Sequence, residues 1–354
     1  MTAAARERAR FEALRASPEF SDLCAVSARL GAEPAQVQAA GGNTSIKRDG
    51  VMWVKASGTW LADAGRRDVM VPVRAAALAR AVRAGDTAEA VDFTPEGLGA
   101  PGLRPSIETV VHASMPQAVV LHTHCVAAIA GALRADGLEV ARARLGDLDP
   151  IRVPYVMPGL PLCRALMAEA APDRRVAVLG NHGLVAAGET VAEAEATLRE
   201  ATRRLSGPAP AEAEGDAAIL ETERYRAADA PALHAVARDP ARRAMAAAGP
   251  FYPDHVVFLG PRLAVAETGE GVEAAADRLS EDGTPPVLIL SRDGGAALRR
   301  DATPVQAAMA RCLGDVIGRV EPGAPLRPLA GDEIAALLGW DAEKHRQASN
   351  AGAR

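Results

Sequence analysis

Apolar positions over residues 4–31 recur at helical spacing, with Phe11, Leu14, Phe20, Leu23, Val26 and Leu30 set between charged and small residues. That period predicts one or two amphipathic helices. Residues 38–47 and 51–58 then read as two strands joined by a turn at Arg48, Asp49 and Gly50, the second ending in a Ser57-Gly58 turn. Residues 72–84 have a helical pattern. Pro105-Ser106-Ile107-Glu108 opens another helix, with Ser106 as its N-cap and Glu108 in its first turn. Apolar runs at 119–124 and 176–183 predict buried strands, with an apolar helix at 125–135 and a charged amphipathic helix at 189–205.

Residues 206–218 are rich in Pro, Gly, Ala and acid without an apolar face, the composition of a linker. Beyond it, 255–260 and 286–291 read as strands with a helix at 270–280 between them, followed by helices at 304–319 and 331–347. This predicts a small C-terminal α/β extension over 219–354. Gly269-Glu270-Gly271 lacks the third glycine and the preceding buried strand of a dinucleotide fingerprint.

Composition narrows the class. At 354 residues the chain can bury a full core and two domains. With aromatics at 3%, that core must be built from Ala, Val and Leu. No apolar run approaches a membrane span, and residues 1–10 lack the apolar region of a secretory signal. Cys24, Cys125, Cys163 and Cys312 are scattered without metal or redox spacing, which fits reduced thiols in a cytoplasmic protein. The net charge of −5 argues against a nucleic-acid binder. Only three of the 40 basic residues are lysines (Lys47, Lys55 and Lys344), and two of these flank the strand turn.

The histidines change the picture most. His122 and His124 stand at i and i+2 on one strand, so both side chains leave the same face. His182 ends the second apolar run and can supply a third imidazole, giving the three-histidine set of a catalytic zinc with an open coordination position. Imidazole ligands also suit Mn²⁺ or Co²⁺. Gly41-Gly42-Asn43-Thr44-Ser45, the Ser57-Gly58 turn and Ser106 are three places where backbone N–H groups and hydroxyls can receive an anion. Glu108 is the candidate acid/base, and His112, four residues on, shares its helix face as a packing or orienting residue. His234, His255 and His345 are expected to be structural.

In this order and spacing, Gly41–Ser45, Ala56–Gly58, Pro105–Glu108, His122-Thr123-His124 and Asn181-His182-Gly183-Leu184 resemble the class II aldolase/adducin superfamily over about residues 5–205. That superfamily includes L-fuculose-1-phosphate and L-rhamnulose-1-phosphate aldolases and ribulose-5-phosphate 4-epimerase. Residues 253–257 and 340–344 are similar to the extension in the aldolase part of long rhamnulose-phosphate aldolase/dehydrogenase fusions, without the dehydrogenase portion. The resemblance implies a three-layer α/β/α domain over 1–205 with a mostly antiparallel central sheet, assembled as a homotetramer. It implies zinc on His122, His124 and His182, Glu108 as the catalytic carboxylate, and a substrate phosphate on Gly42, Asn43, Ser57, Gly58 and Ser106. Ile107 departs from the short aldolases, which carry a second serine there, and Lys55 is the residue placed to take over that phosphate contact. Short aldolases also use tyrosines from a neighbouring subunit, a role not assigned to Tyr155, Tyr225 or Tyr252.

The implied activity is cleavage of a ketose 1-phosphate to dihydroxyacetone phosphate and an aldehyde. A 4-epimerase and a decarboxylase of a phosphorylated keto acid need the same stabilised enolate and stay open, as does a lysine Schiff-base aldolase using Lys55. An adducin-like binding protein is disfavoured by the complete histidine set.

Overall fold

The computed structural model describes residues 2–87 and 89–340. They divide into two compact units. The first comprises residues up to 128 together with 138–205, and the second comprises 129–137 and the chain from 206 onward.

The first unit is built on seven strands: β1 (Asn43–Arg48), β2 (Val51–Lys55), β3 (Met70–Val73), β4 (Val119–Thr123), β5 (Ile151–Val153), β6 (Val176–Leu179) and β7 (Gly183–Gly188). Their order is β3-β2-β1-β4-β7-β6-β5. Every pairing is antiparallel except the parallel β5–β6 edge. The expectation of a mostly antiparallel central sheet therefore holds. Asp49 and Gly50 both have positive φ, at 49° and 82°. This is the backbone of a tight turn whose twist matches its flanking strands, and it fixes the β1–β2 register.

Helices α1 (Ala3–Arg15), α2 (Pro18–Gly31), α3 (Ala75–Arg83), α4 (Thr109–Ser114), α5 (Val126–Ala132), α6 (Gly137–Leu145), α7 (Leu160–Met167) and α8 (Val191–Leu205) complete the unit or border it. α1, α2 and α8 pack against strands from one side, and α3, α4 and α7 gather round the other with an apolar cluster that includes Val54, Val73, Leu78, Val111, Val120 and Leu166. Trp53 anchors the N-terminal helices. It is 1% exposed, donates its indole N–H to the Phe11 carbonyl at 3.1 Å, and meets the Phe11 and Phe20 rings edge-on. Trp53→Ala removes this buried ring and its contacts, so urea unfolding should show a loss of about 3–5 kcal/mol. A loss under about 1 kcal/mol would contradict that anchoring role.

In the second unit, α9 (Ala217–Leu220), α10 (Pro231–Arg238), α11 (Pro240–Ala247), α12 (Pro253–Leu259), α13 (Val272–Arg278), α14 (Pro304–Ile317) and α15 (Gly331–Gly339) accompany four strands. These are β8 (Tyr225–Ala227), β9 (Ala264–Val265), β10 (Leu288–Ser291) and β11 (Gly295–Arg299), ordered β8-β11-β10-β9. The linker-like segment carries no regular structure until α9. Residues 129–137 belong here because Ala135 and Arg327 exchange backbone hydrogen bonds with Pro325 and Leu133.

Several expectations need correction. Residues 255–260 are not a strand; Pro253–Leu259 is the helix α12, and all seven of its residues are buried. A short run that is apolar on every side carries no period, and its flanking Pro253 takes the first helical position, where proline's fixed φ is pre-organised. Residues 70–73 are strand β3, so the helix expected from 72 begins at Ala75. Ser106 is not the helix cap: α4 starts at Thr109 and Glu108 occupies the N-cap position, with no side-chain capping bond. The expected helix 331–347 is seen as α15 to Gly339 and stops there, since Trp340 takes an extended backbone; residues 341–347, which include the rest of the second motif, lie outside the described residues.

Candidate metal centre

Three pieces of chain bring the centre together. β4 delivers His122 near its end, with His124 just beyond it. The β6–β7 turn delivers His182, and there Asn181 takes a left-handed φ of 54°. The N-terminal boundary of α4 delivers Glu108. The three imidazole centroids lie 5.0–5.2 Å apart. One ligand atom from each of Glu108, His122, His124 and His182 lies within 4.8 Å of the others, and all four residues are buried. Glu108 Oε1 is 3.2 Å from His182 Nε2 and Oε2 is 3.5 Å from His122 Nε2.

The three borderline imidazole nitrogens fit a divalent transition metal, with the Glu108 carboxylate beside them in the same buried cluster. The supporting contacts agree. His122 Nδ1 lies 3.1 Å from the Leu184 carbonyl. A carbonyl only accepts, so the imidazole proton sits on Nδ1 and leaves the Nε2 lone pair for a ligand, as metal-binding histidines are usually held.

Burial by itself would raise the Glu108 carboxyl from its ordinary 4.5. The surrounding His122, His182, His124 and His112 outweigh burial and lower it to about 2. A lowered carboxyl contributes stability above 4.5 that is lost as pH falls through about 2. The stability gap between wild type and Glu108→Gln, measured by urea unfolding of the metal-free proteins, should therefore narrow across that interval. A gap independent of pH would contradict the assignment. His112, at 0% exposure, is pushed down to about 3 by burial and by His122, against the pull of Glu108. It is a neutral imidazole, with Nδ1 2.8 Å from Ser45 Oγ.

The glycine-rich segment packs directly behind the imidazoles. A Cβ on Gly41 would stand 2.7 Å from His124 Nδ1, and one on Gly42, whose φ is +65°, would stand 2.8 Å from the His122 carbonyl oxygen. Gly42→Ala should cost about 1–2 kcal/mol from the left-handed backbone alone, with more from the clash, and should weaken metal binding because His122 must shift. A chelator competition assay and urea unfolding read the two effects. Wild-type values in both would refute the close-packing argument.

Lys55 is 1% exposed. Its Nζ donates to the carbonyls of Ala40 at 2.7 Å and Gly42 at 3.2 Å, tying the end of β2 to the glycine segment. Ala56 bridges to Pro105, and the Ser57 N–H donates to the Arg104 carbonyl at 2.8 Å. The Ser57-Gly58 turn, with Gly58 at φ 72°, is thereby held beside the strip that carries Ser106. The Ser57 N–H is thus already engaged, which leaves its hydroxyl for an anion. Asn43 Nδ2 donates to Glu108 Oε2 at 2.9 Å, an interaction with no signature in residue spacing. Ser106 Oγ is buried and has no hydrogen-bond partner among the described residues.

The remaining candidates fall elsewhere. His234 is a satisfied core histidine: its Nε2 faces the Ala228 carbonyl at 2.8 Å and its Nδ1 accepts from the Ala296 N–H at 3.0 Å. His255 is buried in α12, and His345 lies outside the described residues. Tyr155, Tyr225 and Tyr252 are all buried. Cys125 is buried, with its sulfur 3.7 Å from Thr202 Oγ1.

The model of the class II aldolase and adducin N-terminal domain matches residues 21–205, more than half of the sequence, and the chain belongs to that family. The uncharacterized oxidoreductase YuxG of Bacillus subtilis strain 168 is 33% identical over 166 residues, which are 42% of this chain and 24% of that protein. The chain thus spans about a quarter of that relative's length. The N-terminal class II aldolase domain of a conserved protein from Thermoplasma acidophilum is 27% identical, with 54% of this chain and 92% of that one covered at a TM-score of 0.46. An L-fuculose-1-phosphate aldolase from Thermus thermophilus is 20% identical, with 54% and 97% covered at a TM-score of 0.36. No helix of the described residues is long and apolar enough to cross a membrane.

Proposed function

We propose that this protein is a metal-dependent aldolase that cleaves a ketose 1-phosphate, or a closely similar phosphorylated sugar, to dihydroxyacetone phosphate and an aldehyde. The observation that carries this reading is the convergence of three imidazoles and one low-pKa carboxylate in a buried cluster. His122, His124 and His182 hold the divalent ion, with zinc favoured and manganese or cobalt as alternatives. A divalent cation bound there supplies Lewis-acid stabilisation for the negative charge that carbon–carbon cleavage leaves on the substrate oxygens.

The chain's own residues do the rest. Gly42, Asn43, Ser57, Gly58 and Ser106 receive the phosphate. Lys55 adds positive charge beside it and keeps the glycine segment in place. Fixing the phosphate turns C3 of the sugar toward Glu108, so the encounter becomes effectively intramolecular. As the C3–C4 bond breaks, the C4 hydroxyl releases its proton to water and C3 takes one from Glu108, which has first picked it up from water; in the condensation direction the ionised Glu108 removes the C3 proton and the aldehyde oxygen takes one from water. A carboxyl held at about 2 is ionised at neutral pH and suited to that removal. The Asn43 hydrogen bond keeps Glu108 aimed.

The Schiff-base alternative is disfavoured by Lys55 itself. Its buried nitrogen is engaged by two backbone carbonyls, and imine formation would have to give up both hydrogen bonds. We further propose that the protein acts in the cytoplasm as a homo-oligomer, that residues 1–205 form the catalytic domain, and that 219–354 form an extension joined by 206–218. Incubation of purified protein with a panel of sugar phosphates and sugar-acid phosphates, with product analysis, tests the reaction. Release of dihydroxyacetone phosphate is expected. An epimeric sugar phosphate, or carbon dioxide, would assign the site to the other chemistries of the superfamily.

A further inference from the structure

Strand β1 sorts its side chains strictly by face. Thr44 turns toward α2, where its hydroxyl meets Ser27 Oγ at 2.6 Å. The opposite face, at alternate positions 43, 45 and 47, makes a polar contact with the α4 strip at every step. Asn43 Nδ2 donates to Glu108 Oε2 at 2.9 Å, Ser45 Oγ pairs with His112 Nδ1 at 2.8 Å, and Lys47 Nζ donates to the His112 carbonyl at 2.9 Å. α4 has six residues and no side-chain cap, too little to hold itself in place, since isolated short helices are marginal. Its apolar residues Val110, Val111 and Ala113 bind it to the sheet, but apolar contact is non-directional and does not fix position along the helix axis. The polar rungs do. Their lengths follow from geometry. A strand advances about 7 Å every two residues and a helix only about 6 Å over four, so the third rung needs a long side chain to reach the same histidine. Lys47, one of three lysines among 40 basic residues, is that long rung.

We propose that Ser45 and Lys47, acting through His112, are positioning residues that set the placement of Glu108 against the three histidines. The proposal rests on the aldolase reading above for its kinetic consequence, and on the fold alone for its structural one. Misplacing a reacting group by about 1 Å can cost on the order of 100-fold in rate. Ser45→Ala and Lys47→Met should therefore each lower kcat about ten- to 100-fold while leaving KM and bound metal unchanged. Ser45→Thr, which keeps the hydroxyl, should restore most of the rate. Independently of activity, amide exchange at Val111 and His112, whose N–H groups both point at the Glu108 carbonyl, should quicken roughly tenfold or more in both variants, with the protein still folded. Wild-type kcat and wild-type exchange in Ser45→Ala and Lys47→Met would overturn the proposal, as would failure of Ser45→Thr to differ from Ser45→Ala. Should Glu108→Gln itself keep full turnover, the aldolase reading fails, while the exchange experiment still decides whether the ladder holds α4.

Discussion

Glu108→Gln is expected to bind the metal as wild type does and to lose about 100- to 10,000-fold in turnover, the range a positioned acid/base supplies. Glutamine keeps the size of the side chain and can still meet Asn43, so the three histidines need not move. It cannot carry a proton to or from carbon. The variant therefore separates assembly of the centre from its chemistry. Steady-state kinetics on the substrate identified by product analysis, alongside metal content per chain, gives the answer. Near-wild-type turnover with metal in place would remove Glu108 from the mechanism, and loss of metal would recast it as a ligand.

His182→Ala has the second large expected effect, on affinity. Removing a ligand imidazole should weaken metal binding by more than the roughly 10–100-fold typical of losing a supporting contact. His182 comes from the β6–β7 turn, whereas His122 and His124 share one stretch of chain, so its loss leaves two ligands on a single element. The change also strips Glu108 Oε1 of the nitrogen 3.2 Å away, exposing the buried carboxylate to a desolvation cost that its neighbours offset in the intact site. Competition with a chromophoric chelator should show the drop in affinity. The metal-free variant should be less stable than metal-free wild type, because leaving a buried acceptor without its neighbour costs about 1–3 kcal/mol. Unchanged affinity would place the ion elsewhere.

Much of this was legible in the residues. His122 and His124 share a face because a strand repeats every two residues, and His182 ends an apolar run that becomes β6. The charged helix at 189–205 and the strand near 288 have clear periods and flanking turns. What the sequence conceals are contacts between distant segments. Lys55 looks like a cation for an anionic ligand, yet its nitrogen also holds the glycine segment through two carbonyls. Neither the Asn43–Glu108 bond nor the Ser45–His112 pair follows from local spacing, because each joins residues more than 60 positions apart. Their trace is the polar residue at every second position of β1. Short elements were obscured for a different reason. β3 and α12 are buried throughout, and uniform burial erases the alternation by which helix and strand are told apart.

At the heart of the proposed chemistry is a divalent ion at the three histidines, doing work that the protein cannot do without it. Turnover of a ketose 1-phosphate to dihydroxyacetone phosphate, measured before metal removal, after it, and again after the ion is restored, tests this directly. The predicted result is activity that vanishes with the metal and returns with one ion per chain. Full activity in demonstrably metal-free protein would contradict it.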